Sequence, residues 1–484
     1  MIYVIVGGGI AGVSCLRQLL VSLHSSDNII LISASKRVKT VSQWRMVGQY
    51  TEQFDVNEDD MVSDDPRLLF IQAEVVGWNH KTKELFLNDR SDSVKYDRLC
   101  IATGALPSTP FSNDKVLTIR DTESAELLQH RLEGAKQVAV VGNGGIATEV
   151  VFELKGVNVT WIIRDDSISS VFFNPSIAEF FKERVEVGRQ EGAKNAGVLK
   201  RPRYCLDECG EQNTTRKVAG CALGPDWISS LSFKDCSEGR SLKIIRNVEV
   251  QNVVDVNGGL KLTLSNGCEV QCDCIIWATG VVPATSIWTN NCDKNLLEKS
   301  GKYGRYAYWS KVVRHILQIS PVDGGIIVDD AMRTPIPGVY ACGDVCSVSW
   351  SAPSENWKQM RLWTQARQMG DYCARSMMSD GDVDKDFCFE LFTHTTSFFG
   401  YKVVFLGDFK AERQPEGWYT IERIIEDDQF VQCIMFNHRV VGAVLVGETD
   451  LEETMENLIL NKTDLERIEE NFLDPQIDIE DYFD

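Results

Sequence analysis

Glycines at positions 7, 9 and 12 follow an apolar run at 2–6 and fall in the spacing Gly-x-Gly-x-x-Gly. The chemistry open to this spacing is anion binding. Gly7 permits a tight turn, Gly9 lets backbone approach a pyrophosphate, and Gly12 lets the next helix pack on the strand. The helix start would turn free N–H groups and the positive end of its dipole toward the anion. Gly142, Gly144 and Ala147, behind the apolar run 138–141, repeat the pattern, with alanine at the helix-packing position. Glycine turns between strand and helix also serve plain packing, so the weight lies in the repetition and in what accompanies it.

Other side chains fall where a nucleotide would need them. Ser33 ends the second apolar run, about twenty residues past the first turn, where an acidic residue would bind the adenosine ribose. A serine can bond a ribose oxygen but gives up the charge-assisted bond, so affinity must be recovered elsewhere. In the second unit that position falls on Ile163, with Arg164 beside it. A cation there suits a 2′-phosphate, whereas Asp165 and Asp166 argue the other way, and NADH against NADPH stays open. Two Ala-Thr-Gly turns follow apolar strands, at Thr103-Gly104 and Thr279-Gly280, and a Gly343-Asp344 pair stands at a later strand end. Asp344 can accept a hydrogen bond from a hydroxyl; its plain alternative is a helix N-cap.

The elements that must position these residues are read from periodicity and punctuation. The sequence predicts a helix over 13–23, a strand over 28–33, a charged helical stretch over 40–70 and short strands over 71–90. Arg120 and Asp121 mark a crossing into a second unit. There 159–163 reads as the second strand, 184–220 as a polar insertion, and 242–264 as a meander. Residues 298–320 interleave basic and aromatic side chains, which can stack on single-stranded nucleic acid, but a solvated insertion is the reading adopted. Asp344 is expected just before a helix over 357–378. From 387 the chain becomes rich in Phe and Val strands, followed by an acidic helix from Asp450 and an acidic tail at 474–484.

Composition bounds the class. The chain has 484 residues, 43% hydrophobic and 25% charged, an ordinary globular balance for two or three domains. Fifty basic residues against seventy acidic ones give a net charge of −20, which argues against a general binder of nucleic acid or anionic membrane. No run approaches the roughly 20 apolar residues of a membrane helix, and a strand starting at residue 2 leaves no room for a cleaved signal. Fifteen scattered cysteines fit a reducing cytosol or nucleus. Cys205 and Cys209 lack a second ligand pair, so no metal is assigned; Cys342 and Cys346 flank the Gly-Asp turn and read first as small buried hydrophobes.

Two glycine turns, two Ala-Thr-Gly turns and a late Gly-Asp in this order resemble the FAD-dependent pyridine nucleotide-disulfide oxidoreductases over about 380 residues. The resemblance implies an α/β fold with two Rossmann-like nucleotide-binding domains and a C-terminal α+β domain. The FAD domain would be discontinuous, 1–121 and 324–386; the NAD(P) domain would span 122–323 and the interface domain 387–484. It implies FAD on Gly7, Gly9, Gly12, Ser33, Thr103, Gly104, Gly343 and Asp344. NAD(P)H would lie on Gly142, Gly144, Ala147, Glu149, Arg164, Thr279 and Gly280, with Glu149 near the nicotinamide; an ordinary helical carboxylate is the plain reading of Glu149. Hydride would pass from the nicotinamide to the flavin.

The family's disulfide reductases carry Cys-x4-Cys or Cys-x2-Cys against the flavin, and this sequence has neither beside its first helix. Their C-terminal His-x-x-x-x-Glu is missing too: His394 and His438 have no glutamate at that spacing. The electron acceptor is therefore not identified. ALGPDW at 222–227, MRLWTQARQMG at 360–370, VGETDLEETMENLILN at 446–461 and the terminal DIEDYFD resemble one group within the family more closely. That likeness implies a flavoprotein of nucleus and cytoplasm, with a role in oxidative stress. It also implies an alternative to turnover, the protection of a partner such as a tRNA ligase complex, and leaves a homodimer open.

Overall fold

The computed structural model describes residues 1–61, 63–119, 122–132, 134–188, 241–256, 258–290, 316–350, 355–474 and 476. Arg120 and Asp121, the cysteines at 205 and 209, most of both expected insertions, the 222–227 motif and all but two residues of the 474–484 tail lie outside them.

Two parallel five-stranded sheets repeat one design. The first has the order Val339–Ala341, Arg98–Ile101, Ile2–Val6, Asn28–Ser33 and Leu68–Gln72. Its central strands are buried, and their side chains share one core with two helices and with Trp78, Leu85 and Leu87 of an antiparallel meander. The helices Ile10–Ser22 and Trp363–Ser379 pack on each other; a side chain on Gly370 would stand 2.2 Å from the Ala11 carbonyl oxygen. The second sheet runs Val116–Leu117, Cys274–Trp277, Gln137–Val141, Asn158–Ile162 and Ser241–Ile245. A three-stranded antiparallel meander accompanies each: Val75–Asn79 to Val94–Lys95 on the first, Val250–Val256 to Glu269–Cys272 on the second. The expected meander over 242–264 thus divides, its first strand joining the parallel sheet.

The C-terminal unit is an antiparallel sheet ordered Thr393–Phe398, Tyr401–Gly407, Arg439–Val446, Gln429–Phe436 and Tyr419–Ile425, with the helix Glu452–Asn461 on it. Phe398 and Phe405 pack there against Phe172 and Phe173 of the second unit, ring centroids 5.0–5.9 Å apart. Burying such rings stabilises the contact between the units, and Asn174 Nδ2 adds a hydrogen bond to Gln432 Oε1 at 2.7 Å.

Residues 40–70 correct the sequence reading. They form an antiparallel hairpin, Arg37–Met46 with Glu52–Asp60, leading to the strand Leu68–Gln72. The charges that suggested a helix face pair across strands instead: Thr40 Oγ1 donates to Asp59 at 2.9 Å, and Lys39 pairs with Glu58 at 3.5 Å. Two further expectations shift. Asp344 sits in a single 3-10 turn, Gly343–Val345, followed by the strand Cys346–Val348. The long helix begins only at Trp363. Among the described residues no helix is long and apolar enough to cross a membrane.

Candidate functional site

Both glycine turns are built the same way. Gly7 (φ +127°) and Gly142 (φ +131°) occupy conformations that disfavour a side chain, and a Cβ on either would lie 2.1 Å from a carbonyl oxygen, of Ala102 and Ala278 respectively. These alanines open the two Ala-Thr-Gly turns, and each donates its N–H to the last residue of the neighbouring strand, Val6 or Val141, at 2.9 and 2.8 Å. The Ala-Thr-Gly strand is thus the wall against which its glycine turn folds. A Cβ on Gly12 would fall 2.0 Å from the Gly7 carbonyl oxygen, so Gly12 lets the helix approach its own turn.

Gly9 and Gly144 face the other way: a side chain on either would meet no atom within 4 Å. Each is the N-cap of a helix whose first turn has no side-chain cap and no acidic residue. Bare N–H groups and an uncompensated dipole therefore face open space, the arrangement a pyrophosphate needs. That space is one cavity of about 1730 Å³, lined by Gly7, Gly9, Ser33, Thr103, Gly104, Gly142, Gly144, Arg164, Thr279, Gly280 and Asp344 together. Gly12, Ala147, Glu149 and Gly343 do not line it. Ala147 and Glu149 are buried in the helix Gly145–Glu153, and a Cβ on Gly343 would stand 2.7 Å from the Ala11 Cβ. A typical small-molecule pocket measures roughly 300–1,000 Å³, so this one has room for two ligands.

The two Ala-Thr-Gly turns also bind each other. Thr103 Oγ1 donates to the Ala284 carbonyl at 3.1 Å and accepts from Trp288 Nε1 at 3.2 Å. Backbone bonds Ala284 N to Gly104 O (2.9 Å) and Ser108 N to Gly280 O (3.1 Å) extend the crossing. The antiparallel pair Ala105–Pro107 with Val281–Pro283 completes it. These turns thus join the two nucleotide units across the cavity floor.

Sequence reasoning missed several lining groups. Lys36, Arg37 and Lys39 line the cavity near Ser33, at the start of the hairpin and ahead of the stretch read as a helix. Lys39 donates its backbone N–H to the Gly8 carbonyl at 2.8 Å. Lys36 and Lys39 pair there with Asp60 and Glu58, which line the same wall. Arg361 Nε donates to the Asp344 carbonyl at 3.0 Å, and its Nη2 binds Asp323 at 2.6 Å. Burial raises the Asp323 pKa, but bonds from Ser320, Arg361 and Ser347 outweigh it and hold this carboxyl well below the usual range.

His394 enters from the C-terminal sheet, 5% exposed, with Nδ1 2.9 Å from Thr364 Oγ1. Burial pushes its pKa down to about 4, so the imidazole is neutral at pH 7. No spacing in the sequence signals it. His438, lacking a glutamate at the family spacing, finds one by tertiary contact: Nδ1 lies 2.5 Å from Glu469 Oε2. At the second turn, Asn143 Nδ2 (2.8 Å) and Ser170 Oγ (2.6 Å) donate to Asp165, while Arg164 is 76% exposed and 4.0 Å from both Asp165 and Glu249.

A family model described as pyridine nucleotide-disulphide oxidoreductase matches residues 1–188 and 317–370. The mouse protein named pyridine nucleotide-disulfide oxidoreductase domain-containing protein 1 is 38% identical over 519 residues, covering 100% of this chain and 98% of its own. The Dictyostelium discoideum protein of that name is 31% identical over 561 residues, covering 99% of each. Among solved structures, a ferredoxin reductase of Rhodopseudomonas palustris superposes with a TM-score of 0.68 at 16% identity over 99% of each chain. A water-forming NADH oxidase of Lactobacillus brevis gives 0.62 at 15%, over 96% of this chain and 92% of its own. At such identities the structures speak for the fold, and the sequence matches speak for descent. The chain belongs to the pyridine nucleotide-disulphide oxidoreductase family.

Proposed function

We propose that this protein is an FAD-dependent NAD(P)H oxidoreductase that works without the redox disulfide of its family. The family's cofactors are FAD and NAD(P)H. The observation that carries the reading is the single cavity onto which both glycine turns, both Ala-Thr-Gly turns and Asp344 open.

The residues present fit such ligands. The first turn and the bare start of Ile10–Ser22 would hold the FAD pyrophosphate, Ser33 the adenosine ribose, and Asp344 a ribityl hydroxyl. The second turn would hold the nicotinamide nucleotide, with Arg164 at the cavity rim for a 2′-phosphate. When bound, the flavin supplies hydride acceptance and the nucleotide the hydride. The chain's part is to position both, exclude water through its apolar walls, and keep His394 uncharged beside the reacting space. Among the described residues Cys342 is the cysteine at the cavity wall, and no partner at the family spacing accompanies it.

The test is to identify the flavin in the purified protein, reduce it anaerobically with NADH or NADPH, and mix it with oxygen, quinones and small electrophiles. Turnover with an acceptor supports the proposal. Slow reoxidation with nucleotide-dependent binding of a protein, the tRNA ligase complex among those to try, supports the partner-protecting alternative. No flavin in protein that is folded defeats both.

A further inference from the structure

Four cysteines distant in sequence meet in the core of the first unit. Cys15 lies on the helix Ile10–Ser22, Cys100 in the strand Arg98–Ile101, Cys342 just past Val339–Ala341, and Cys373 on the helix Trp363–Ser379. All are fully buried. Cys100 Sγ lies 3.5 Å from Cys342 Sγ and 3.8 Å from Cys373 Sγ, and the sulfurs of Cys15, Cys100 and Cys373 fall within 4.8 Å of one another. A fifth sulfur adjoins them, Met377 Sδ at 3.9 Å from Cys15 Sγ.

Tight packing explains small side chains here, since the two helices approach closely at Gly370, but alanine or serine would serve that end. The chain has 15 cysteines and 10 methionines in 484 residues, so three mutually adjacent cysteine sulfurs with two more sulfurs at their edge are not expected from composition. We propose that this sulfur cluster is a binding site for one Cu(I) ion.

The geometry suits a thiophilic ion. Metal–sulfur bonds of about 2.3 Å place the sulfurs of a trigonal or tetrahedral site roughly 3.8–4.0 Å apart, close to the separations found. Two features favour Cu(I) over Zn(II). The cluster includes a thioether, and the set contains no nitrogen or oxygen ligand, a softness that suits Cu(I). Binding replaces two S–H bonds by two Cu–S bonds and releases two protons to solvent, with no change of oxidation state.

The proposal does not rest on the flavin reading. The full-length protein is titrated anaerobically with Cu(I) delivered from a chromophoric chelator, with Cys268, exposed among the described residues, and Cys205, Cys209, Cys221, Cys236 and Cys292, which lie outside them, replaced by alanine. One ion per chain should be withdrawn from the chelator, with an all-sulfur shell by X-ray absorption. Cys100→Ser with Cys373→Ser should weaken retention by at least about 100-fold, and Cys433→Ala, in the C-terminal sheet, should not. Should the double variant fail to fold, Met377→Leu, which keeps the volume, should still weaken retention about tenfold. No ion retained, equal retention in all variants, or selective zinc retention would each overturn the proposal.

Discussion

Arg164→Ala isolates the contribution of one side chain to nucleotide choice at little risk to the fold. The residue is 76% exposed and its two ion pairs stand at 4.0 Å, so its removal should change stability by less than about 1 kcal/mol. Against a 2′-phosphate it would supply a charge-assisted bond of about 1.5–3 kcal/mol, roughly 10- to 150-fold in affinity. Asp165, tied to Asn143 and Ser170, stays in place and repels that phosphate once the arginine is gone. The assay is anaerobic flavin reduction against nucleotide concentration, run in parallel with both nucleotides. The NADPH concentration for half-maximal rate should rise by about 10- to 100-fold, and the NADH value should move less than about threefold. An equal change for both nucleotides, or none for either, would refute the assignment of Arg164 to the 2′-phosphate.

Three further outcomes follow from the same geometry. Asp344→Ala should leave a ribityl hydroxyl unpaired and weaken FAD retention by about 1–3 kcal/mol, read as flavin lost on dilution; full retention would remove Asp344 from the site. His394 has a folded pKa of about 4, below the ordinary 6.5, so the unfolded chain binds more protons between those values and stability falls as pH drops through that window, by up to about 3 kcal/mol. Urea midpoints measured from pH 7 to 4.5 should therefore fall more steeply for wild type than for His394→Gln, and parallel curves would count against a buried neutral imidazole. Arg367 Nη2 binds Glu52 at 2.6 Å, and Glu52 is 6% exposed, so Arg367→Ala should strand a buried carboxylate and cost about 3–5 kcal/mol. Adding Glu52→Gln should recover much of that loss, and a loss below about 1 kcal/mol would show the pair to be solvated.

The parts of the site that reside in local backbone were legible in the sequence. Gly7 and Gly142 announce their turns because few other residues tolerate their positive φ, whereas Gly9 and Gly144, at ordinary φ with open space around them, are legible through their spacing alone. The alanines before Thr103 and Thr279 were visible as a repeat, but their reason, a carbonyl pressed against the glycine of the neighbouring strand, is tertiary. The hairpin at 37–60 escaped because its charges are balanced across strands, a pairing that periodicity along one strand does not reveal. His394, the Glu469 that partners His438, and the contacts of Cys100 with Cys342 and Cys373 span 30 to 273 residues. Only the fold brings them together.

The central claim is that reducing equivalents pass from nicotinamide to flavin in this cavity with no disulfide between. Anaerobic titration of the flavin-loaded protein with NADPH or NADH measures it most directly, by counting the equivalents consumed when the yellow band bleaches. One equivalent per flavin is expected, unchanged in Cys342→Ser. Uptake of two equivalents, falling to one in that variant, would place a redox disulfide back in the mechanism and contradict the account.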